Sequence, residues 1–260
     1  MLDFHNHLMP GVDDGAANIE ESREGLQALA ADGVSEIITT PHFSASLIKR
    51  GEHGRYLERV ERGWEALQEL AKNEFPYLRL ERGFEIMLDI PQPVIDDAVY
   101  HLAGTSFVLV EFPYMNIPPN SSYALRELRQ AGLVPIVAHP ERYSNMEEKR
   151  GMVEEWHDAG AYMQVNCGSI VGMYGSRAKS LAWSILSAGE AEYIGSDYHS
   201  RGRCTVEAAR AALKHRGLED QLATLDSNGD RLLNGQVPFP VGGFEGVGSR
   251  AGWKRVFPWV

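Results

Sequence analysis

Met1-Leu2-Asp3-Phe4-His5-Asn6-His7 opens the chain as an apolar run ending in two histidines one residue apart, with Asp13-Asp14-Gly15 just beyond. Side chains alternate across a strand, so His5 and His7 share a face and their imidazoles converge beyond the strand's end. One ion could hold both. A lone pair of this kind also arises by chance, and a histidine on an apolar stretch is more often a hydrogen-bonded core residue. The remainder of the chain decides between the two readings.

Short β-branched or apolar runs recur along the sequence and predict strands near Leu2–His5, Glu36–Thr40, Leu78–Phe84, Phe107–Phe112, Val134–Ala138, Tyr162–Val165 and Tyr193–Gly195. Amphipathic stretches between them predict helices over Glu20–Ala31, Arg55–Lys72, Pro91–His101, Ser121–Ala131, Glu147–Ala159, Ser176–Ala188 and Thr205–Arg216. Gly33, Gly132, Gly160, Gly189 and Gly217 follow apolar-periodic runs, as residues that end helices do. Strands alternating with helices predict an α/β fold with a parallel sheet. Seven such repeats predict a (β/α) barrel of TIM type.

The barrel is expected to be one domain over residues 1–233. From Asn234 onward, glycines alternate with Pro238, Pro240 and aromatic residues, which is neither helix nor strand. This tail, residues 234–260, is expected to be a loose end or to dock through Phe244, Trp253, Phe257 and Trp259. The docking partner would be the barrel itself or a neighbouring subunit of a homo-oligomer.

Composition narrows the function classes. With 260 residues, 43% of them hydrophobic and 23% charged, the chain can bury one sizeable core. Its net charge of -11 argues against a nucleic-acid scaffold, which needs a basic face. An anionic substrate would need local positive charge. No apolar run approaches the roughly 18 residues of a membrane span, and no signal-peptide pattern opens the chain. A cytoplasmic protein without membrane insertion is expected. Cys167 and Cys204 are the only cysteines, and free thiols are the expectation.

Residues able to bind metal ions fall in one kind of place. His5 and His7 end the first predicted strand, His42 follows the second, Glu85 the third, and Glu111 ends the fourth. His139 ends the fifth, and Asp197 and His199 end the seventh. In a parallel barrel the strand C-termini share one face, where active sites sit. Asp14, Glu85, Glu111 and Asp197 crowded there could not all stay ionised unaided, because desolvation and repulsion cost several kcal/mol per group. Divalent cations resolve the conflict, and the ligands suffice for two or three, with Glu85 or Glu111 bridging a pair. Imidazole and carboxylate without thiolate suit Mn, Fe or Zn. Such ions lower the pKa of bound water toward about 7 and clamp a phosphoryl oxygen, which points to metal-assisted hydrolysis.

HxH, Thr40-Pro41-His42, Gly83-Phe84-Glu85, Val110-Glu111-Phe112-Pro113, Ala138-His139-Pro140-Glu141-Arg142 and Ser196-Asp197-Tyr198-His199, in this order, resemble the PHP (polymerase and histidinol phosphatase) superfamily. Within it, the Asp13-Asp14-Gly15 loop, the stretch through Arg142-Tyr143, and Gln164-Val165-Asn166-Cys167-Gly168-Ser169 with Tyr174-Gly175 resemble the bacterial capsule and exopolysaccharide protein-tyrosine phosphatases. The resemblance runs from residue 1 to about residue 233. It implies a distorted seven-stranded barrel with a trinuclear, usually manganese-dependent site. It implies hydrolysis of phosphotyrosine on the tail of a partner tyrosine autokinase that controls polysaccharide polymerisation and export.

Carried over by motif, His5, His7, Glu85 and Asp197 would bind one ion, Glu85, Glu111 and His139 a second, and Asp14, His42 and His199 a third. Asp13 competes with Asp14 for its place. Arg142 and Arg203 are implied as phosphate-holding residues, and His199 counts among the catalytic residues as well. A guanidinium fork suits phosphate and keeps its charge. Arg201, close to Arg203, has the same chemistry.

Cys204 to Arg210 satisfies the bare CX5R spacing of thiol-based tyrosine phosphatases. That chemistry needs a loop of backbone N–H groups around a thiol of depressed pKa. This segment has no glycine and reads as helix, so it is expected to be inert. Trp64, Leu67 and Leu70 read as a packing face, Glu20-Glu21 as a helix start, and His53, His101, His157 and His215 as solvated or capping residues. The competing functions are a small-molecule phosphatase of the histidinol-phosphate type, a phosphodiesterase using the same ions, and a non-catalytic binding module. The last is disfavoured, because every expected ligand position carries a competent ligand.

Overall fold

Short parallel strands, the longest of them apolar and buried, form the centre of the molecule, and helices cover them. The computed structural model describes residues 1–51, 53–113, 117–146 and 151–245. The chain begins with β1 (Leu2–Asp3), α1 (Ile19–Ala31), β2 (Glu36–Thr39), β3 (His42–Ser44), α2 (Ala45–Arg50) and α3 (Gly54–Glu74). It continues with β4 (Arg79–Arg82), β5 (Glu85–Met87), β6 (Phe107–Glu111), α4 (Ser121–Gln130), β7 (Val134–Ala138) and α5 (Met152–Asp158). It closes with β8 (Tyr162–Asn166), α6 (Cys167–Val171), α7 (Gly175–Ala188), β9 (Tyr193–Gly195), α8 (Val206–Lys214) and α9 (Glu219–Leu233). All strand ladders are parallel. β6 and β7 are buried along their whole length, as parallel strands covered by helices are.

Two sheets, in the orders β1-β2-β4 and β3-β5-β6-β7-β8-β9, stand where the repeats predict one seven-stranded barrel. The expected second strand is interrupted before Pro41, which has no N–H to give a ladder, and resumes as β3. The expected third strand breaks at Gly83. There the turn Leu102–Gly104 packs between β4 and β6 and keeps them from pairing. A Cβ on Gly83 would meet the Leu102 backbone at 3.0 Å, so glycine allows this approach.

The first and last strands lie together. Asp197 N donates to the His5 carbonyl at 2.7 Å, His7 N donates to the Tyr198 carbonyl at 2.8 Å, and Asn6 bridges Tyr198 in parallel. Asp3 clasps the same seam by accepting from Ser196 N at 2.8 Å and Ser196 Oγ at 2.7 Å.

The helix expected over Pro91–His101 is absent; a single 3-10 turn, Ala98–Tyr100, occupies the end of that segment and a second, Leu102–Gly104, follows it. Pro91 and Pro93 remove donors and push the residues before them out of the helical region, so no helical nucleus forms. The helix expected from Glu147 is described from Met152, since residues 147–150 lie outside the described residues. Trp64, Leu67 and Leu70 are buried on one face of α3.

The tail is docked as far as residue 245. Asn228 holds both backbone groups of Phe239, at 2.7 and 2.9 Å. Phe244 N donates to the Ser187 carbonyl at 2.9 Å, and its ring meets Trp183 edge-on. Trp253, Phe257 and Trp259 lie outside the described residues. Among the described residues, no helix is long and apolar enough to cross a membrane.

Candidate metal centre

Beyond β1, β7 and β9, backbone features set the direction of the ligands. β1 stops at Asp3, and the extended chain beyond it, pinned to β9, points His5 and His7 the same way. Gly15 closes the following loop against His7, where a Cβ would lie 2.1 Å from the His7 carbonyl oxygen. His139 (φ 34°) and Asp197 (φ 50°) leave β7 and β9 in the left-handed region. That backbone is costly for residues other than glycine and tends to persist at functional sites.

The result is a tight group of imidazoles and carboxylates. Nε2 of His5 lies 3.1 Å from Glu85 Oε2 and 3.3 Å from Asp197 Oδ1. Nε2 of His7 is 3.4 Å from each of the same two oxygens. His42 Nδ1 lies 3.2 Å from both Glu85 Oε2 and Glu111 Oε1. Asp14 Oδ1 is 3.5 Å from His42 Nε2 and 3.4 Å from His199 Nε2. His139 Nε2 meets the other Glu85 oxygen at 2.9 Å. Three overlapping sets can therefore hold an ion: His5, His7, Glu85 and Asp197; His42, Glu85 and Glu111; and His7, Asp14, His42 and His199.

The donor atoms fit cations better than one another. His5 Nε2, His7 Nε2, His42 Nδ1, Glu85 Oε2 and Glu111 Oε1 are buried and lack hydrogen-bond partners among the described residues, although they crowd within about 3.5 Å. Buried polar atoms are ordinarily satisfied. Lone pairs that converge without aligning into hydrogen bonds are what coordination of shared divalent ions requires.

Charge tells the same story. Burial opposes ionisation of Glu85, yet His5 and His42 hold its carboxyl well below the usual range. Burial also opposes the charged form of His5, but Glu85 and Asp197 push its imidazolium up to about 9. His7 is raised against its burial by Asp13, Asp197 and Glu85. His199 is lowered by burial and by the neighbouring His7, whose ring stacks on it at 4.0 Å. Without ions the imidazoles must themselves act as the countercharge, and bound cations would take over that role.

The expected residues can now be located. His5, His7, Glu85 and Asp197 gather as expected, and Asp14 joins His42 and His199. His42 also faces Glu85 and Glu111, where His139 was expected, while His139 bonds the far oxygen of Glu85. Asp13 turns away from the ions' position and accepts from His7 Nδ1 at 2.7 Å. Arg142 Nη1 bonds Asp197 Oδ2, and its guanidinium lies 4.1 Å above the Tyr174 ring. Arg203 is exposed in the loop before α8. Arg201 points to the Gly15 carbonyl at 3.5 Å.

Cys204 is buried just before α8, its thiol pushed up to about 12 by burial, and Arg210 pairs with Asp226. The CX5R segment is a helix start and no phosphate cradle. His101 and His157 bond backbone carbonyls, and His215 caps α8. Gln164 and Asn166 also touch the centre from β8, which carries no ligand of its own. Two buried polar residues at spacing two inside an otherwise apolar strand were the signal for them.

A parallel α/β frame with histidines and carboxylates converging from the ends of its strands, Glu111, His139 and Asp197 at C-termini and His42 and Glu85 at the first positions of β3 and β5, is the architecture of a metal-dependent hydrolase. The chain belongs to the family described as capsular polysaccharide synthesis, CpsB/CapC, which it matches over residues 1–234. It is 29% identical to the tyrosine-protein phosphatase YwqE of Bacillus subtilis over 244 residues, covering 92% of this chain and 94% of that protein. It is 31% identical to CapC of Staphylococcus aureus, covering 77% of each. It superposes with a TM-score of 0.81 on a crystal structure from work on YwqE of B. subtilis and CpsB of Streptococcus pneumoniae, described there as metal-dependent tyrosine phosphatases. That match has 25% identity and covers 96% of this chain and 100% of the other.

Proposed function

We propose that the chain is a metal-dependent protein-tyrosine phosphatase. It works in the cytoplasm and hydrolyses phosphotyrosine on the tail of a tyrosine autokinase that controls capsule or exopolysaccharide synthesis. The observation that carries the reading is the set of buried, partnerless donor atoms on His5, His7, His42, Glu85 and Glu111. Family membership adds the substrate class, because relatives of known activity are tyrosine-protein phosphatases.

In this reading His5, His7, Asp14, His42, Glu85, Glu111, His139, Asp197 and His199 hold two or three divalent ions, Mn2+ by preference and Fe or Zn by ligand type. Such ions supply a water acidified toward about pKa 7 and a Lewis acid for the phosphoryl oxygens. The chain's own part is positional. Glu85 offers two oxygens to four imidazoles and sets the spacing of the centre. Arg142, fixed between Asp197 and Tyr174, and Arg203 on the loop supply the positive charge that phosphate needs on a surface of net negative charge. The two sheets, joined at the Asn6–Tyr198 seam, support reading them as one distorted seven-stranded barrel over residues 1–233, with 234–260 as its tail.

The test is a comparison of turnover. Mn2+-loaded protein is given a phosphotyrosyl peptide from a kinase tail and, separately, histidinol phosphate. Preference for the peptide, lost on chelation and regained with Mn2+, supports the proposal. Preference for histidinol phosphate overturns the substrate, and full activity after exhaustive chelation overturns the metal mechanism.

A further inference from the structure

We infer that β8, a strand without a ligand, sets the geometry of the centre through Gln164 and Asn166, which act as positioning residues for His5 and Asp197. The inference rests on the metal-centre reading above but not on the identity of the substrate.

Gln164 and Asn166 lie two residues apart on β8, so they share the face turned toward β9 and the first strand. Both are fully buried. The Gln164 amide has a fixed sense, because its Nε2 donates to the Val165 carbonyl at 2.9 Å. Its Oε1 therefore faces His5 Nδ1, at 2.7 Å. An amide oxygen only accepts, so Nδ1 carries a proton, and in the neutral ring that binds a metal the lone pair sits on Nε2. That nitrogen is the one directed at Glu85 and Asp197. Gly195 on β9 makes room for the arrangement, since a Cβ there would lie 2.9 Å from Gln164 Nε2 and 3.2 Å from His5 Cβ.

Asn166 is fixed in the same manner. Its Oδ1 accepts from Gly168 N at 2.7 Å and caps α6, and its backbone N donates to the buried Glu141 at 2.9 Å. The remaining donor, Nδ2, bonds Asp197 Oδ2 at 2.9 Å. Asn166 and Arg142 thus occupy one oxygen of Asp197, and Oδ1 is left facing His5 and His7. Two of the other imidazoles are set by different acceptors: Asp13 for His7 and the Asp197 carbonyl for His199. Partners that orient ligands in this way typically govern about 10- to 100-fold in metal affinity or activity.

A merely structural role would give a different pattern of variants. The full chain is stripped with chelator, and Mn2+ affinity is measured by calorimetry alongside thermal melting of the metal-free protein. Gln164→Met keeps length but removes the acceptor and is expected to weaken Mn2+ binding about 10- to 100-fold. Gln164→Glu keeps an acceptor for His5 Nδ1 but loses the donor to the Val165 carbonyl, so a loss clearly smaller than that of Gln164→Met is expected. Asn166→Asp preserves the cap on Gly168 but sets oxygen against Asp197 Oδ2, and a loss like that of Gln164→Met is expected.

Equal affinity in wild type and Gln164→Met overturns the inference, as does equal loss in Gln164→Met and Gln164→Glu. If the substitutions unfold the chain, nitrogen-15 spectra of Zn2+-loaded wild type decide: a proton on His5 Nδ1 supports the inference, and one on Nε2 overturns it. A wild-type chain that binds Mn2+ but leaves phosphotyrosyl peptide intact overturns the phosphatase reading and leaves these comparisons standing.

Discussion

Asp13 accepts the Nδ1 proton of His7 at 2.7 Å, whereas its neighbour Asp14 leaves 68% of its side chain exposed while facing His42 and His199. Asp13 also accepts from Gly15 N and His42 N, so it organises the loop. Asp13→Ala is expected to cost about 1–3 kcal/mol through the donors it leaves unpaired. Asp14→Ala should change stability by no more than about 0.5 kcal/mol, as exposed substitutions do, yet lower the bound metal. Denaturant unfolding and metal analysis of the two variants separate the roles, and equal stability of both would refute the assignment.

Protonation of the centre should shape its pH dependence. In the metal-free chain, Asp13, Asp197 and Glu85 titrate below their usual range, despite their burial, because histidines adjoin them. Their contribution to stability is present above the unfolded value of about 4 and is lost as pH falls. His5 is shifted up to about 9, so its contribution is complete below about 6.5 and is lost as pH rises through about 9. Metal-free protein should therefore be most stable between these limits. Mn2+ must displace the imidazolium protons, so binding near pH 7 should release protons and tighten as pH rises. Calorimetry in buffers of different ionisation enthalpy measures the release, and none detected would contradict the protonated metal-free site.

Much of this centre was legible because its ligands sit at strand ends. Glu111, His139 and Asp197 stand at or just beyond the ends of β6, β7 and β9 as expected, whereas His42 and Glu85 open β3 and β5 after breaks in the expected strands. What escaped reading depends on contacts between distant segments. The splitting of the sheet comes from the Leu102 turn against Gly83, which no local period announces. The helix α9 is not among the expected ones, and it carries Asn228-Gly229, a dipeptide of turn type, in its interior. In the fold Asn228 is buried and binds the Glu192 and Phe239 carbonyls. Which of Asp13 and Asp14 joins His42 and His199 depends on the conformation of a loop whose Gly15 packs on His7.

Thiol chemistry should be dispensable. Cys167 and Cys204 are both buried, and burial raises both thiols. Cys204→Ala should keep phosphatase activity within about threefold, and alkylating reagents should leave the native enzyme active. Arg210→Ala should instead lower the melting temperature, since it breaks the paired bonds to Asp226. Loss of activity in folded Cys204→Ala would reopen the thiol mechanism.

The two arginines should differ. Arg203→Ala removes an exposed charge and is expected to raise KM for phosphotyrosyl peptide with metal content intact. Arg142→Ala also strips a partner from Asp197 Oδ2, so it should raise KM about tenfold or more and reduce metal affinity as well. Steady-state kinetics with metal analysis on the same preparations check this, and an unchanged KM in either variant removes that residue from phosphate binding.

Asp3 and Ser196, clasped across 193 positions of sequence, impose an order on biosynthesis. A ribosome adding about 5–20 residues per second makes His5 and His7 within a second or so, but needs ~10–40 s to reach Asp197. Through that interval the nascent chain carries His5 and His7 without their Asp197 partner. A chain halted before Ser196 has neither the clasp nor Asp197, so premature termination should yield a protein with no partial function and no closed seam. Vectorial synthesis therefore leaves the centre to the final stretch of translation.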